Sequence, residues 1–168
     1  MGVALSTLGV AVGYAFTTSS ETNTRPTTGY KILVDIKDVP DFNPTPDTHE
    51  VTPLVNEQYK TYIHGLKDLG GDLAFLANFT QELFNEYETG TTGIMAQYNS
   101  GKHMWLVIDH PKLSKSLYVN VAPSPLGLNA MSVNSVAEVT LHFAPLGEPE
   151  WANDPTFTNE VRPSKKQS

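Results

Sequence analysis

Alternation of apolar and polar positions is clearest between residues 72 and 80, directly after the adjacent glycines Gly70 and Gly71. One set of alternate positions is apolar throughout: Leu73, Phe75, Ala77 and Phe79. The other set is mostly polar, and Leu76 is its main exception. A period of two with one apolar side is typical of a strand that buries one face. The pattern therefore predicts a half-buried strand in this segment.

Similar alternation predicts further strands at 30–38, 102–110, 115–123 and 131–145, the last being the longest. Residues 80–88 have a helical pattern, with Thr80 as a candidate N-cap and the apolar side chains on one face. The apolar N-terminal segment, residues 1–16, is expected to be an extended arm or a strand. This order predicts a mainly β fold, a β-sandwich or barrel-like sheet with one flanking α-helix.

The remaining segments are predicted to be connections or termini. Three prolines fall between Pro40 and Pro46, so residues 39–53 are expected to be a projecting loop, not a central strand. Residues 147–168 hold acidic residues and prolines without any period, and are expected to be a flexible tail that only a partner would order. Residues 1–146 are expected to form one domain.

Composition and charge restrict the classes of function. The chain of 168 residues has no cysteine, which excludes disulfide frameworks, thiolate metal sites and a cysteine nucleophile. Its net charge is −7 and its 11 lysines and arginines are scattered, so it is not expected to grip nucleic acid. The apolar N-terminus lacks a positive flank and is too short to span a bilayer, so no membrane partner is expected.

No catalytic or metal-binding constellation is visible. None of the five histidines falls in a paired spacing of the HxH or HExxH kind. The segment NSGKHM lacks the leading glycine of a phosphate-binding loop, and SPLGLNA lacks the flanking glycines of a nucleophile elbow. We therefore expect no enzymatic activity, no metal and no cofactor, and a small hydrolase is the weakest alternative.

Several blocks, taken in order, resemble a known family. They are MGVALSTLGVAVGYAF, GYKILVDIKDVPDFNPTPDT, YKTYIHGLKDLGGDLAFLANFT, MWLVIDHPKLSKSLYV and PSPLGLNAMSVNSVAEVTLHFAP. The succession is similar to the major tail protein, or tail tube protein, of long-tailed, siphovirus-type bacteriophages of Gram-positive bacteria. The resemblance runs from residue 1 to about residue 146 and does not extend to the C-terminal segment.

The resemblance implies a structural role in the virion. Members of the family form hexameric rings in which neighbouring sheets join edge to edge into one barrel. Stacked rings make a tube that conducts genomic DNA from the capsid to the host cell without binding it specifically. The implied partners are further copies of the chain, a tape measure protein, and tail terminator or distal tail proteins. The family is made in the host bacterial cytoplasm and needs no cofactor.

Three sets of residues become candidates for this role. The lumen-facing candidates are Asp72, Asn78, Thr80, Glu138, Thr140 and His142, although an ordinary solvated face explains them equally well. The ring-stacking candidates in the proline-rich segment are Asp41, Phe42, Asn43, Pro44, Pro46 and Asp47, for which a passive loop is the alternative. The inter-subunit candidates in the N-terminal arm are Val3, Leu5, Leu8, Val10 and Val12.

Two alternative functions stay open. The first is the inner tube protein of a contractile tail, a tailocin or a secretion-type injection device. The second belongs to a different class, a monomeric ligand-binding β-barrel with an apolar cavity. The assembly hypotheses require that neighbouring copies complete one another's sheet edges, whereas the monomeric barrel must close its edges within one chain.

Overall fold

The computed structural model describes residues 4–6, 8–55 and 58–162. The strands are β1 (Ala11–Phe16), β2 (Lys31–Ile32), β3 (Ile36–Asp38), β4 (Thr45–Glu50), β5 (Tyr62–Asp68), β6 (Leu73–Asn78), β7 (Met104–Asp109), β8 (Lys115–Pro123), β9 (Glu138–Pro145) and β10 (Glu150–Asn153). The helices are α1 (Gln81–Glu88) and α2 (Ile94–Asn99). The mainly β class predicted from the sequence is confirmed.

One antiparallel sheet contains eight of the strands, in the order β2-β1-β7-β8-β9-β6-β3 with β10 also paired to β8. Its two outermost strands, β2 and β3, are consecutive in the chain. In the connection between them, the Leu33 amide donates to the Val12 carbonyl at 2.9 Å. The Asp35 carbonyl accepts from the Asn78 amide, also at 2.9 Å. The sheet therefore curls so far that the short connection between β2 and β3 contacts both β1 and β6. This curl gives the sheet its barrel-like shape.

The main core lies on the inner side of this curl. Apolar side chains of β6 and β9 face α1, and the rings of Phe75 and Phe143 meet edge to face with centroids 5.6 Å apart. The helix contributes the buried Leu83 and Tyr87. The Thr80 hydroxyl caps α1 by accepting from the Leu83 amide at 3.1 Å. The predicted half-buried strand and the helix with its cap are therefore confirmed.

A second, smaller core lies on the other face of β1, β7 and β8. It is built on Tyr30, Tyr118 and Phe157, and the rings of the two tyrosines are 5.5 Å apart. Gly13 lies beneath Phe157, where an added Cβ atom would be 2.4 Å from the ring. Only glycine lets this ring approach the backbone of β1 so closely. The buried strand β7, apolar on both faces, confirms the prediction of a central strand.

Several predicted boundaries are wrong. The segment predicted at 30–38 is interrupted by a turn after β2, and a second helix, α2, follows α1. The strand predicted at 131–145 begins only at Glu138, because the alternation of residues 131–137 faces no core; Val133 is 90% exposed. The predicted loop 39–53 contains β4, which tolerates Pro46 because it belongs to a small exposed hairpin.

The prediction of a flexible C-terminal tail is also wrong for the described residues up to 162. Strand β10 pairs with β8, and Phe157 forms a parallel bridge with Tyr30. These contacts come from the chain itself and not from a partner. No period is visible in this segment because long-range pairing and single side chains hold it, not an alternating face.

Candidate functional site

Strands β6 and β9 present a common face on the side of the sheet opposite the main core. Their antiparallel register places Ala74 opposite His142, Leu76 opposite Thr140 and Asn78 opposite Glu138. We call these six residues the β6–β9 outer face. Four of the six lumen-facing candidates, Asn78, Glu138, Thr140 and His142, therefore lie together. On β9, Glu138, Thr140 and His142 alternate with the buried Val139, Leu141 and Phe143, so these three candidates share one face of the strand.

The charged side chains at this face are paired. The Asp72 carboxylate, just before β6, lies 2.7 Å from Nδ1 of His142. The Glu138 carboxylate forms an ion pair with Lys37, and the Thr140 hydroxyl accepts from the Asn129 amide at 3.2 Å. Glu138 on the face and Asp72 beside it each therefore have a cationic or ionisable partner, Lys37 and His142 respectively. The sequence did not reveal this pairing.

Thr80, the sixth candidate, has a structural role at the end of the same strand. Its hydroxyl accepts from the Leu83 amide and donates to the Asp35 carboxylate at 2.7 Å. These two bonds join the start of α1 to the connection between β2 and β3. Thr80 is thus a helix cap beyond β6 and not part of the β6–β9 outer face.

Strands β4 and β5 form a separate two-stranded hairpin that carries exposed apolar side chains. Its register places Thr48 opposite His64 and Glu50 opposite Tyr62. Leu66 on β5 is 88% exposed, and Val55 between the strands is 89% exposed. An isolated two-stranded hairpin is only marginally stable in water, and contiguous exposed apolar side chains usually mark an interaction surface. Among the described residues, β4 and β5 pair with each other apart from the eight-stranded sheet, and β4 is exposed throughout.

The ring-stacking candidates are divided by this arrangement. Pro46 and Asp47 lie in β4, on the hairpin. Asp41, Asn43 and Pro44 precede it, and Phe42 between them packs against the main core. Residues 41–44 therefore directly precede the hairpin. The exposed apolar residues Val55 and Leu66 of the hairpin were not among the predicted contact residues, although their apolar character is visible in the sequence.

The N-terminal candidates are also divided. Leu8 is 83% exposed and Leu5 is exposed, whereas Val10 is half-buried and Val12 belongs to the main core. Val12 therefore cannot contact another subunit through its side chain. Val3 lies outside the described residues. The segment is tied to β7 by a 2.7 Å contact between the His110 imidazole and the Ser6 carbonyl.

An ion-pair cluster near the C-terminus was not predicted. The Asp109 carboxylate is fully buried, and it accepts from the Arg162 guanidinium at 2.7 Å and from the Ser116 hydroxyl at 2.9 Å. Glu160 accepts from the same guanidinium at 2.9 Å, and this hydrogen bond lowers the pKa of the Glu160 carboxyl. The same bond raises the pKa of Arg162. An aspartate inside the apolar run MWLVID was the available signal, because a buried carboxylate requires a partner.

A cleft of about 810 Å³ lies between α1 and the β1–β2 edge. Within it the Tyr14 hydroxyl donates to the Glu86 carboxylate at 2.8 Å, and Lys31 lies 3.3 Å from the same oxygen. Burial raises the pKa of Tyr14, and it also raises that of Tyr118 to about 12, so both phenols are neutral at pH 7. Tyr14, Glu86 and Lys31 thus bind one another within the cleft.

In residues 4–6, 8–55 and 58–162, no three histidine, aspartate or glutamate side chains are placed to hold a metal ion. Within the same residues, no helix has the length and apolar character needed to cross a bilayer.

Comparison with solved structures identifies related folds. The chain matches a chain of the anti-feeding prophage (AFP) baseplate, solved by cryo-EM with sixfold symmetrisation, at a TM-score of 0.63 and 10% identity. That match covers 91% of this chain and 98% of the other. A chain in the tail of an empty GTA particle, with C6 symmetry, matches at a TM-score of 0.57 and 12% identity, covering 89% and 99%. A chain in the virion of a native gene transfer agent particle matches at 0.55 and 10%, with the same coverage.

The chain has the fold of chains found in tail and baseplate particles. At 10–12% identity the likeness establishes the fold alone. No protein-family model matches the sequence, and no curated protein matches it either.

Proposed function

We propose that the chain is a structural subunit of a phage-type tail, and that its copies form stacked hexameric rings around a central bore. The observation that carries the proposal is the fold likeness, which spans nearly the whole of this chain and of the matched chains. Both the AFP baseplate and the GTA tail were solved with sixfold symmetry. The resemblance in sequence to the tail tube proteins of siphovirus-type phages points to the same assembly independently.

The β6–β9 outer face is our candidate for the wall of the bore. A wall past which DNA slides must not hold the phosphate backbone, which carries one negative charge per roughly 1.7 Å of axis. Here Lys37 and His142 are each engaged by a carboxylate. Polar, locally balanced side chains meet that requirement better than free cations, and they are well hydrated. This assignment concerns Asn78, Glu138, Thr140 and His142, with Asp72 at the end of the strand.

The β4–β5 hairpin is our candidate for the contact with a neighbouring copy. Its exposed apolar side chains favour burial, which would add stability that the hairpin lacks alone. In the N-terminal segment, Leu5 and Leu8 are candidates for a second contact. We expect the neighbouring subunits to reach the free edges of the hairpin or of β3, because the outer edge of β2 is covered by the chain itself.

The resemblance to tail tube proteins implies the other elements of the proposed role. The rings conduct genomic DNA from capsid to host cell without specific binding, and the tube contacts a tape measure protein and tail terminator or distal tail proteins. The subunit is made in the host bacterial cytoplasm and resides in the virion. It acts without enzymatic activity, without a cofactor and without a membrane partner.

An inner tube protein of a contractile tail, a tailocin or a secretion-type injection device is the second candidate. The match to the AFP baseplate favours it. The two candidates differ in whether a sheath surrounds the tube. Mass spectrometry and microscopy of native particles containing this chain distinguish them, because a second concentric layer of another protein is expected only for the contractile type.

Substitution in the hairpin tests the proposal. We expect Leu66→Asp to abolish ring and tube formation in negative-stain micrographs while the subunit stays folded by circular dichroism. The matched control is Leu113→Asp, which places the same charge on the turn between β7 and β8, outside the hairpin. Unchanged tubes for Leu66→Asp contradict the hairpin assignment. A wild-type protein that never forms rings, at any concentration or with its native partners, contradicts the proposed function as a whole.

A further inference from the structure

The outer edge of β2 is closed by C-terminal residues of the same chain. The Thr158 amide donates to the Tyr30 carbonyl at 2.9 Å. The side chain of Asn159 then binds both backbone groups of Ile32, accepting from its amide at 2.7 Å and donating to its carbonyl at 3.1 Å. Three backbone groups that point away from β1 are thereby satisfied. We call residues 157–162 the edge cap.

The edge cap is anchored at both of its ends. At one end the Phe157 ring is 93% buried, over Gly13 of β1. At the other end the Arg162 guanidinium donates to the buried Asp109 carboxylate at 2.7 Å and to the Gly9 carbonyl at 3.0 Å. The hydrogen bonds to β2 lie between these two anchors. The placement is specific, because Phe157 fits only over a residue without a side chain, Gly13, and Arg162 is held by a buried carboxylate, Asp109.

The edge cap ends the sheet at the outer edge of β2, where a further strand could otherwise pair. A strand added to β2 would bind through its backbone and would expose a new edge of its own. Asn159 instead binds Ile32 through its side-chain amide, which supplies one acceptor and one donor. At Ile32 one side chain therefore takes the place of a pairing strand's backbone, whereas at Tyr30 the cap pairs through its own backbone. Unprotected edges are sites where another chain can pair, and proteins cover such edges to prevent it.

We propose that the edge cap occupies a strand-addition site on β2, and that an extended segment of a second copy of the chain takes this site when the cap is released. A second copy is the partner because β4 and β5, the hairpin strands, pair only with each other within the described residues and so provide extended edges on every copy. In the free subunit the cap keeps this site closed and delays association. The inference requires self-association but no particular number of subunits, and so it is separate from the hexameric tube.

The test uses the full chain with the substitution Asn159→Ala, which removes both side-chain bonds to Ile32. The matched control is Val161→Ala in the same segment, because Val161 is exposed. We expect sedimentation velocity to show that Asn159→Ala associates at about tenfold lower protein concentration than the wild type or the control. If Asn159→Ala stays monomeric wherever the wild type does, the inference is wrong.

Hydrogen exchange at the Ile32 amide locates the contact. We expect this amide to be protected in the wild type, to exchange faster in monomeric Asn159→Ala, and to become protected again as that variant associates. Association that leaves the Ile32 amide in fast exchange places the contact elsewhere and overturns the inference. Circular dichroism guards against unfolding, and a second variant, Thr158→Pro, removes the other backbone bond if Asn159→Ala fails to fold.

A synthetic peptide of residues 155–162, added to the full chain with Asn159→Ala, provides an independent arm. We expect the peptide to bind this chain and to reverse its association, whereas a peptide with Ala in place of Phe157 and Asn159 does neither. Association that the native peptide leaves unchanged contradicts the competition for one edge.

Discussion

Replacement of Arg162 by alanine is the perturbation whose magnitude the structure fixes best. The Asp109 carboxylate is 0% exposed and the Arg162 side chain is 12% exposed, with 2.7 Å between the charged atoms. Removing the guanidinium takes the charged donor away from this buried carboxylate, and the Ser116 hydroxyl that also contacts it is shared with Asp154. Breaking a buried pair in this way costs about 3–5 kcal/mol. We expect the lower end, about 3 kcal/mol, because the Arg162 side chain is itself 12% exposed, so water can reach the position that it leaves.

A loss of about 3 kcal/mol is a large part of the roughly 5–15 kcal/mol by which a domain is stable. For a domain of this size, Tm should fall by about 6–12 °C. The assay is urea unfolding followed by circular dichroism, in parallel with a thermal scan. The control is Lys60→Ala, since Lys60 and Glu50 are 3.5 Å apart on the exposed hairpin and such pairs contribute about 0–1 kcal/mol.

A double-mutant cycle separates the lost pair from other effects of the substitution. Asp109→Asn removes the buried charge, so it should recover part of the stability that Arg162→Ala loses. Our reasoning is refuted if Arg162→Ala unfolds at the same urea concentration as Lys60→Ala. It is also refuted if Asp109→Asn and Arg162→Ala lose stability additively, because two residues that stabilise each other must show coupling.

Three further predictions concern pH, the helix cap and the bore. Arg162 lowers the pKa of the Glu160 carboxyl in the folded chain, so Glu160 contributes stability above its unfolded pKa of about 4.3, and this contribution is lost as the pH falls through the lower folded pKa. In urea titrations, the wild type should therefore lose more stability than Glu160→Gln between about pH 5 and pH 3. Equal losses contradict this linkage between protonation and folding. Thr80→Ala should cost about 1 kcal/mol in the same assay, against no change for Thr91→Ala outside the helices. Lysines in place of Asp72 and Glu138 should slow DNA ejection from particles relative to Asn and Gln at these positions, and unchanged ejection removes these residues from the bore.

The sequence predicted the elements whose pattern is local and whose burial is one-sided. In β6, Phe75 and Ala77 are both buried and alternate with more exposed positions, so the period of two could be seen directly. Helix α1 was predictable because its cap, Thr80, and its buried Leu83 lie three residues apart. Strand β8 was predicted at 115–123, the residues that it occupies.

The errors occur where distant parts of the chain determine the structure. Strand β10 has no alternating face and exists because it pairs with β8, more than thirty residues earlier. The hydrogen bonds of Asn159 to Ile32 join positions that are 127 residues apart, and no local sequence pattern predicts them. Conversely, residues 131–137 alternate but have no core to face, and Asn134 there has a φ of 65°, which a regular strand does not allow.

The candidate site was predicted as a face but not as a set of contacts. Alternation alone placed Thr140 and His142 on the same side of β9. The pairing of Glu138 with Lys37, and of His142 with Asp72, depends on the register between strands and on a neighbouring connection. A one-residue change of register would exchange the two faces, so side-chain partners across strands cannot be read from one sequence.

Cryo-EM reconstruction of the purified chain, assembled into tubes alone or with its native partners, tests the central claim most directly. Our account predicts sixfold rings in which the β6–β9 outer face lines the bore and the β4–β5 hairpin contacts a neighbouring copy. Rings with Asn78 and Thr140 on the outer wall contradict the assignment of the bore. Particles that remain single subunits under every condition contradict the assembly itself.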